Sequence, residues 1–191
     1  MAESTQIPKP SLIVVTGRPG SGKTQLAHSL ARAIRCPVVC RDEFKEGFVN
    51  TTGEIGSPSD DIQWQVYEAF FDTMMLILSR RITLVAEAAF QHKAWAPKLE
   101  PLRDNARIRI VLCAIAPELS RARHVQRGLA DPTRERFHHD WAVQAAREGR
   151  ELPIESYDPP HLDLPTLTVD TSDGYQPAFE SIVAFACRFS V

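Results

Sequence analysis

Long apolar segments are missing from this 191-residue sequence. Its longest apolar run, residues 108–116, is interrupted by Arg109 and is shorter than the roughly 18 residues that a membrane-spanning helix needs. The first ten residues are polar and include two prolines, without the basic and apolar regions of a secretory signal. The sequence therefore predicts a cytoplasmic protein with no membrane association.

Cysteine is scarce and does not occur at metal-binding spacing. The four cysteines are Cys36, Cys40, Cys113 and Cys187. They form no Cys-x-x-Cys pair and have no nearby histidine at zinc spacing, so they do not predict a zinc site. We expect four buried free thiols.

A strong net charge is also absent, since 22 basic and 24 acidic residues leave a formal net charge of −2. This balance argues against a protein that holds a long polyanion through its overall field. The charge is nevertheless sorted along the chain. Residues 121–150 contain seven Arg and four acidic residues, whereas residues 151–173 contain six acidic residues and no Lys or Arg.

The sequence does have an ordinary globular composition, with 43% hydrophobic residues, and a length typical of one domain spanning 1–191. Short apolar segments typical of buried parallel strands alternate with segments of helical periodicity. The predicted strands are 11–16, 37–40, 82–86, 108–115 and 167–170. The predicted helices are 23–35, one from Ser59 or Asp60 to about Arg80, 93–105 and 177–189. This alternation predicts an α/β fold, a three-layer αβα sandwich around a five-stranded parallel sheet.

One segment, about 117–150, does not follow the alternation of strands and helices. It is rich in arginine and weakly helical, with interruptions expected at Gly128 and Pro132. We expect it to form a helical lid.

The strongest motif joins the first predicted strand to the first predicted helix. It reads Gly17-Arg-Pro-Gly-Ser-Gly-Lys-Thr24 and satisfies G-x-x-x-x-G-K-[ST] in the strand-to-helix context that this motif requires. Backbone N–H groups of such a P-loop cradle phosphates, Lys23 bridges the β- and γ-phosphates, and the Thr24 hydroxyl holds Mg²⁺. The predicted nucleotide-binding residues are Gly17, Pro19, Gly20, Ser21, Gly22, Lys23 and Thr24. ATP and Mg²⁺ are the predicted cofactors.

Three residues after the second strand extend this motif toward a known group of enzymes. With the P-loop, Arg41-Asp42 and Lys45 resemble the acceptor site of small AAA-type, polynucleotide-kinase-like and zeta-toxin-like kinases of the P-loop NTPase superfamily. The resemblance implies that Asp42 is the base for an acceptor hydroxyl and that Arg41 and Lys45 hold a substrate phosphate. Lys45 departs from the usual Arg and cannot supply a bidentate guanidinium contact.

The position of Asp42 supports the same role on physical grounds. Ligands of open α/β sheets collect at the carboxyl ends of the strands, so Asp42 should lie beside the P-loop. A carboxylate there can take the proton of an attacking alcohol. The alternative is a solvated Asp-Glu pair at the start of a helix from Phe44, with Glu43 as its cap.

Glu87, Arg123 and Arg127 complete the predicted site. Glu87 ends the third strand at the position of a Walker-B-type acid and could orient the Mg²⁺ water shell or an acceptor group; a structural hydrogen bond to the P-loop is the alternative. Arg123 and Arg127 lie one helical turn apart and match the lid helix of the same kinases, in which arginines fold over the transferring phosphoryl group. The remaining arginines of this segment are expected to be solvated: Arg121, Arg134 and Arg136.

Two other clusters allow more than one interpretation. Trp64, Tyr67 and Phe71 form a stripe at helical spacing, which is expected in the core or, alternatively, in the wall of an acceptor pocket. His138-His139-Asp140 is not expected to bind a metal, because adjacent helical residues point to different sides. His138 could instead contact the substrate or the lid.

These observations predict an enzyme that moves the γ-phosphoryl of ATP to a hydroxyl of a small or medium-sized acceptor. One alternative is a polynucleotide 5′-hydroxyl kinase, for which nucleic acid would be the substrate. The other is a nucleotide-dependent ATPase or switch without an acceptor. The acceptor and the oligomeric state are left open by the sequence.

Overall fold

The middle layer of the protein is a five-stranded sheet. The computed structural model describes residues 8–53, 60–138 and 140–188. The strands are β1 (Ser11–Gly17), β2 (Val38–Cys40), β3 (Leu84–Glu87), β4 (Arg107–Ala114) and β5 (Thr166–Asp170). They lie in the order β2-β3-β1-β4-β5, and every neighbouring pair is parallel. The predicted five-stranded parallel sheet is confirmed.

Helices connect these strands and cover the sheet. They are α1 (Lys23–Ile34), α2 (Arg41–Thr52), α3 (Asp60–Ser79), α4 (His92–Leu99), α5 (Pro117–Ala130), α6 (Trp141–Arg147) and α7 (Phe179–Ala186). Two short 3₁₀ turns, Glu100–Leu102 and Pro132–Arg136, follow α4 and α5. None of the helices in the described part of the chain is long and apolar enough to cross a membrane.

Strand β1 shows why the sheet is covered on both sides. Leu12 and Val14 pack on one face in a cluster with residues of α3 and α4, including Phe70 and Trp95. The alternate residues Ile13 and Val15 pack on the other face with α1 and α7. Both faces are apolar because successive strand side chains point to opposite sides and both sides are buried. The predicted three-layer αβα sandwich is therefore confirmed.

Helix α2 begins earlier than the sequence predicted. It starts at Arg41, immediately after the last residue of β2, and Cys40 is its N-cap with an extended backbone. Asp42 and Glu43 consequently lie in the first helical turn, where negative side chains interact favourably with the helix dipole. The alternative interpretation, a helix that starts at Phe44 with Glu43 as its cap, is wrong.

Helix α5 also differs from expectation, because it runs through Gly128 without a break. A Cβ atom built at Gly128 would lie 2.3 Å from Cγ2 of Val143 in α6. The glycine therefore allows α5 and α6 to pack closely rather than ending the helix. The interruption at Pro132 does occur, since α5 ends at Ala130 and a 3₁₀ turn follows.

Some expectations about the chain fall outside the described residues. The cap at Ser59, His139 and the predicted end of the last helix at Phe189 belong to these. All four cysteines are free thiols, as predicted, but only two are fully buried. Cys40 and Cys113 are buried, whereas Cys36 and Cys187 are half-buried at the edge of the core.

Candidate active site

The predicted site residues lie at the carboxyl edge of the sheet. Strand β1 ends at Gly17, where the P-loop begins, and β3 ends at Glu87. Glu87 is in register with Val15 of β1 on one side and with Cys40 of β2 on the other. The acid is therefore held between the strand that leads into the P-loop and the strand that leads into Asp42.

The P-loop packs directly against helix α5. Gly20 has a φ of +86°, and a Cβ atom at this position would lie 2.2 Å from the carbonyl oxygen of Ser120. The Ser120 hydroxyl donates a hydrogen bond of 2.7 Å to the carbonyl oxygen of Pro19. Glycine is required at position 20 because both its backbone conformation and this close contact exclude a side chain. The root of the predicted lid is thus joined to the P-loop.

The start of α1 has the properties of an anion-binding site. Its N-cap, Gly22, has no side chain that could accept from the first-turn N–H groups, and the first turn contains no acidic residue. These N–H groups have no acceptor within the helix, and the positive end of the helix dipole lies beside them. The hydroxyl of Ser21 is buried and makes no hydrogen bond within the described residues. This backbone fits the phosphates of a nucleotide.

Lys23, Thr24 and Glu87 form a buried polar cluster at this helix start. Lys23 Nζ lies 3.7 Å from Glu87 Oε1, and their side chains are 8% and 3% exposed. The Thr24 hydroxyl donates to Glu87 Oε2 over 3.1 Å. Burial raises the pKa of Glu87, while the charge of Lys23 opposes that increase. Glu87 therefore contacts the P-loop itself, and its carboxylate with the Thr24 hydroxyl provides the oxygen ligands that Mg²⁺ prefers.

Asp42 lies in the first turn of α2, next to these groups. Its Oδ1 is 3.3 Å from Nη1 of Arg41, and its side chain is 48% exposed. Burial acts to raise the pKa of Asp42, but the charges of His138, Lys23 and Arg41 outweigh it and leave the pKa below the ordinary range. The Asp42 carboxylate is consequently ionised at neutral pH and able to accept a proton.

Arg41 and Lys45 are adjacent cations on one side of α2. Lys45 is only 9% exposed and makes no hydrogen bond or ion pair with the described residues. Burial, followed by the charge of Arg41, lowers the pKa of Lys45. Arg41 Nε is likewise buried without a hydrogen-bond partner within the described part of the chain. Buried cations are normally paired, so Lys45 carries an unpaired charge and Arg41, which contacts Asp42 through Nη1, keeps one unused donor at Nε.

The Arg-rich segment contacts α2 and is stabilised by histidine–carboxylate pairs. His138 Nε2 lies 2.8 Å from Glu46 Oε1 in α2. His124 in α5 pairs with Asp140, which also caps α6 by accepting from the N–H groups of Ala142 and Val143. His138 and Asp140 thus have different partners. The Arg-rich segment packs against α2 at His138, and its role as a lid stays a prediction.

Arg127 and Arg123 differ in their surroundings. Arg127 is exposed, and its Nη2 lies 3.4 Å from Nδ1 of His124. Within the described residues neither Arg127 nor its neighbour Arg134 pairs with a carboxylate. Both terminal nitrogens of Arg123 instead donate to backbone carbonyls, to Thr171 over 2.8 Å and to Ser172 over 2.6 Å. Arg123 therefore attaches α5 to the loop after β5, and its predicted contact with the phosphoryl group stays a prediction.

Sequence reasoning missed the contribution of the acidic connection before β5. Arg18 of the P-loop donates to the carbonyl oxygen of Glu155 over 2.7 Å and lies over the ring of Tyr157. The Tyr157 hydroxyl is 3.0 Å from the hydroxyl of Thr16 in β1. Arg121, expected to be solvated, donates to two backbone carbonyls of the same connection. No periodicity in this proline-containing segment could have indicated that it covers the strand end.

The aromatic stripe on α3 divides between core and surface. Phe71 is buried in the core, and the hydroxyl of half-buried Tyr67 donates to the carbonyl oxygen of Ala94. Trp64 stacks on Tyr67 but is 61% exposed. Core packing therefore explains Phe71 and leaves Trp64 on the surface.

Comparisons with known proteins agree with this arrangement. A family model described as an AAA domain matches residues 12–153, a range that includes the P-loop, Asp42, Glu87 and both lid arginines. No curated protein gives a significant match to the sequence.

Solved structures of similar fold cover nearly the whole chain. A candidate kinase from Chloroflexus aurantiacus J-10-fl has a TM-score of 0.73 and 25% identity, over 93% of this chain and 96% of that one. The APS kinase of Mycobacterium tuberculosis, in complex with AMPPNP and APS, has a TM-score of 0.62 and 18% identity, over 94% and 98%. A gluconokinase from Sinorhizobium meliloti 1021 has a TM-score of 0.56 and 18% identity, over 95% and 94%. The fold is that of P-loop kinases.

Proposed function

This chain belongs to the AAA domain family, and we propose that it is a kinase that transfers the γ-phosphoryl of ATP to a hydroxyl of a small or medium-sized acceptor. The acceptor also carries an anionic group. The observation that carries the proposal is an ionised carboxylate, Asp42, near the P-loop cation Lys23 and beside two cations of the same helix. Arg41 contacts Asp42 through Nη1 but has an unpartnered Nε, and buried Lys45 makes no hydrogen bond or ion pair within the described residues.

The P-loop binds the phosphates of ATP in this proposal. The nucleotide-binding residues are Gly17, Pro19, Gly20, Ser21, Gly22, Lys23 and Thr24. Lys23 contacts the β- and γ-phosphates and stabilises the charge that develops between them during transfer. The Thr24 hydroxyl and Glu87 hold Mg²⁺, which neutralises phosphate charge when bound. Their contact of 3.1 Å supports this assignment, because it places two oxygen ligands of the kind that Mg²⁺ prefers next to each other.

Asp42 acts as the base toward the acceptor. Its carboxylate accepts the proton of the acceptor hydroxyl while that oxygen attacks the γ-phosphorus, and ADP leaves with the electrons of the broken P–O bond. An ionised carboxylate is required at the start of this step. The charges of Lys23 and Arg41 favour that form, and His138 adds to them when it is protonated.

Arg41 and Lys45 bind the anionic group of the acceptor. A phosphate or carboxylate between them would satisfy Lys45 Nζ and Arg41 Nε, the two groups that have no partner in the described residues. Each such contact would be a charge-assisted hydrogen bond. The positions of these cations beside Asp42 on the same helix orient the acceptor hydroxyl toward the base.

Arg127 completes the site when the lid closes. Its guanidinium has no carboxylate partner among the described residues and so is available for the oxygens of the transferring phosphoryl group. We assign Arg123 a different role from the one its spacing predicted. Arg123 anchors the lid helix, because both terminal nitrogens of its guanidinium donate to the backbone carbonyls of Thr171 and Ser172.

The proposal is tested with the variant Asp42→Asn and a panel of acceptors. The panel contains phosphorylated and carboxylated alcohols, neutral sugars, nucleosides and 5′-hydroxyl oligonucleotides, and the measurement is acceptor-stimulated formation of ADP. Asparagine keeps the size of aspartate but cannot accept a proton at neutral pH. With an active acceptor, turnover should fall by roughly 10²–10⁴-fold, the usual contribution of a general base. Binding of Mg·ATP, measured by calorimetry, should change little.

Glu43→Asn is a matched control, since Glu43 lies in the same helical turn but contacts His28 rather than the P-loop. It should retain most of the activity. An unchanged turnover in Asp42→Asn would contradict the role of Asp42. Hydrolysis of ATP that no acceptor stimulates, lost only in Glu87→Gln, would instead support the ATPase or switch alternative.

A further inference from the structure

Three potential metal ligands converge behind the proposed active site, although they are distant in sequence. His28 comes from the middle of α1, Cys40 from the end of β2 and Glu43 from the first turn of α2. His28 Nε2 lies 2.8 Å from Glu43 Oε1 and 3.6 Å from Cys40 Sγ. One ligand atom from each residue lies within 4.8 Å of the other two. This cluster could not be predicted from the sequence, because its members do not follow a metal-binding spacing.

The spacing of these atoms suits one small cation. Zinc is bound by thiolate, imidazole and carboxylate at about 2.0–2.3 Å, which separates neighbouring ligands of a tetrahedron by roughly 3.3–3.7 Å. The separation of 3.6 Å between His28 and Cys40 lies within that range, and the hydrogen-bonded pair at 2.8 Å, His28 and Glu43, would open by about 0.5 Å to reach it. Cys40 is fully buried, whereas the side chains of His28 and Glu43 are 42% and 51% exposed. The cluster is thus open to solvent on one side and fixed by the core on the other.

We propose that His28, Cys40 and Glu43 form a zinc(II) site with three protein ligands and one water molecule. Sulfur and imidazole ligands select zinc over Mg²⁺, which prefers oxygen. The site is therefore chemically distinct from the Thr24–Glu87 pair. Binding converts the Cys40 thiol to a thiolate and releases its proton to solvent. The thiolate and the Glu43 carboxylate balance the two charges of the cation.

Zinc at this site would inhibit phosphoryl transfer. Cys40 of β2 is in register with Glu87 of β3, so the two residues are neighbours in the sheet. Binding of Zn²⁺ with loss of the thiol proton adds one net positive charge beside Glu87. This charge also lies one helical turn from Thr24, because residues four apart on α1 share a face, and it opposes Mg²⁺ at the Thr24–Glu87 pair. The binding site is independent of the proposed kinase activity, but the inhibition rests on it.

Cobalt(II) binding to the intact protein tests the site without reference to activity. Co²⁺ is a spectroscopic substitute for Zn²⁺, and a Cys–His site gives it thiolate-to-metal charge-transfer absorption. We expect one equivalent of Co²⁺ to produce this absorption and added Zn²⁺ to abolish it. Cys40→Ser should lose the charge-transfer absorption. His28→Gln should weaken binding by about 100-fold or more, exceeding the roughly 10–100-fold cost of losing an outer-shell partner.

Cys36→Ser is the matched control, since Cys36 is a half-buried free cysteine outside the cluster. It should bind Co²⁺ like the parent. His28→Gln is expected to fold even if Cys40→Ser does not, because the His28 side chain is partly exposed on a surface helix. Absence of thiolate-to-cobalt absorption in the parent, or equal binding by the parent and His28→Gln, would overturn the site.

The inhibition is measured in the same variants with Mg²⁺ in large excess over Zn²⁺. Stoichiometric Zn²⁺ should lower acceptor-stimulated ADP formation in the parent and in Cys36→Ser, and a zinc-selective chelator should restore it. His28→Gln should keep its activity at that concentration of Zn²⁺. If the parent binds one Co²⁺ but Zn²⁺ leaves its turnover unchanged, the binding site stands and the inhibition is refuted.

Discussion

Burial of the charge of Lys45 costs folding free energy that the charges of Asp42, Asp140 and Glu46 offset only in part. Lys45 is buried beside Arg41 and has no hydrogen-bond or ion-pair partner in the described residues. A residue of this kind is expected to reduce stability, because burial of an unpaired charge is unfavourable. Functional sites commonly contain such residues, since the ligand supplies the missing partner.

Lys45→Met should therefore stabilise the fold while it weakens acceptor binding. Methionine fills a similar volume without a charge, so we expect the free energy of unfolding to rise by about 1 kcal/mol, typical of one stabilising substitution. The KM for an anionic acceptor should rise by roughly 10–100-fold, the cost of one hydrogen bond to a charged group. Chemical denaturation and steady-state kinetics measure the two effects.

Lys93→Met provides the control, because Lys93 is exposed on α4. Its stability should change by less than about 0.5 kcal/mol, as for most surface substitutions. If Lys45→Met were less stable than the parent and bound the acceptor equally well, Lys45 would be a structural residue.

At the scale of single residues, the sequence predicted the residues that carry chemistry. It predicted the partners that these residues contact less well. Lys23, Thr24 and Glu87 were predicted from one motif and one strand end, and the structure brings them within hydrogen-bond or ion-pair distance. Arg123 and Arg127 have the same helical spacing, yet only Arg123 reaches the loop after β5. Such partners come from distant elements, so local spacing cannot identify them.

At the scale of elements, α5 joins the P-loop to the segment that we propose as a lid. Its first half is fixed to the P-loop through Ser120 and Gly20, and to the loop after β5 through Arg123. Its second half carries Arg127 and packs on α6 at Gly128. We therefore expect movement of the lid to begin beyond Arg123, where α5 is no longer attached to the P-loop.

Arg127→Ala should lower turnover without unfolding the protein. A lid contact that forms on closure stabilises the transition state more than bound ATP. The kcat should fall by about 10²–10³-fold, as after loss of one transition-state donor, with little change in the Kd of Mg·ATP. Arg136→Ala is the control, because Arg136 is exposed over the ring of Phe137 in the same segment. Equal kcat values for the two variants would show that Arg127 is a solvated surface residue without a role in turnover.

The elements themselves were predicted where periodicity and apolar runs were clear. All five strands and their parallel direction follow from short apolar segments between helices, whereas their order in the sheet was not predicted. The start of α2 was not predicted, because an acidic pair after a strand can either cap a helix or enter its first turn. Gly128 was misinterpreted for a similar reason: only the approach of Val143 distinguishes a packing glycine from a helix-ending one.

The whole molecule distributes its charge unevenly around the site. The acidic connection at 151–165 packs beside the P-loop through Arg18 and Arg121, which bind its backbone carbonyls. Glu151, Glu155 and Asp158 remain exposed there. A long polyanion that reached the acceptor cations Arg41 and Lys45 would meet a protein with a net charge of −2 and an acidic segment at the same edge of the sheet. This arrangement favours a small anionic acceptor over a nucleic acid.

The salt dependence of acceptor binding distinguishes these two substrates. Each phosphate contact with single-stranded nucleic acid contributes a slope of about −0.7 in log K against log salt. Two acceptor cations should therefore give a slope no steeper than about −1.4 for any acceptor, measured as 1/KM from 50 to 200 mM salt. Lengthening a 5′-hydroxyl oligonucleotide from two to ten nucleotides should leave this slope and the KM nearly unchanged, because only the terminal phosphate reaches Arg41 and Lys45. Suppose instead that the ten-nucleotide acceptor binds more tightly than the dinucleotide and that its salt slope is steeper than about −3. The protein then holds at least four phosphates. That result would establish the polynucleotide kinase alternative. Further cations would then contact the bound oligonucleotide, and Arg134 and Arg136 of the Arg-rich segment would be the first to substitute.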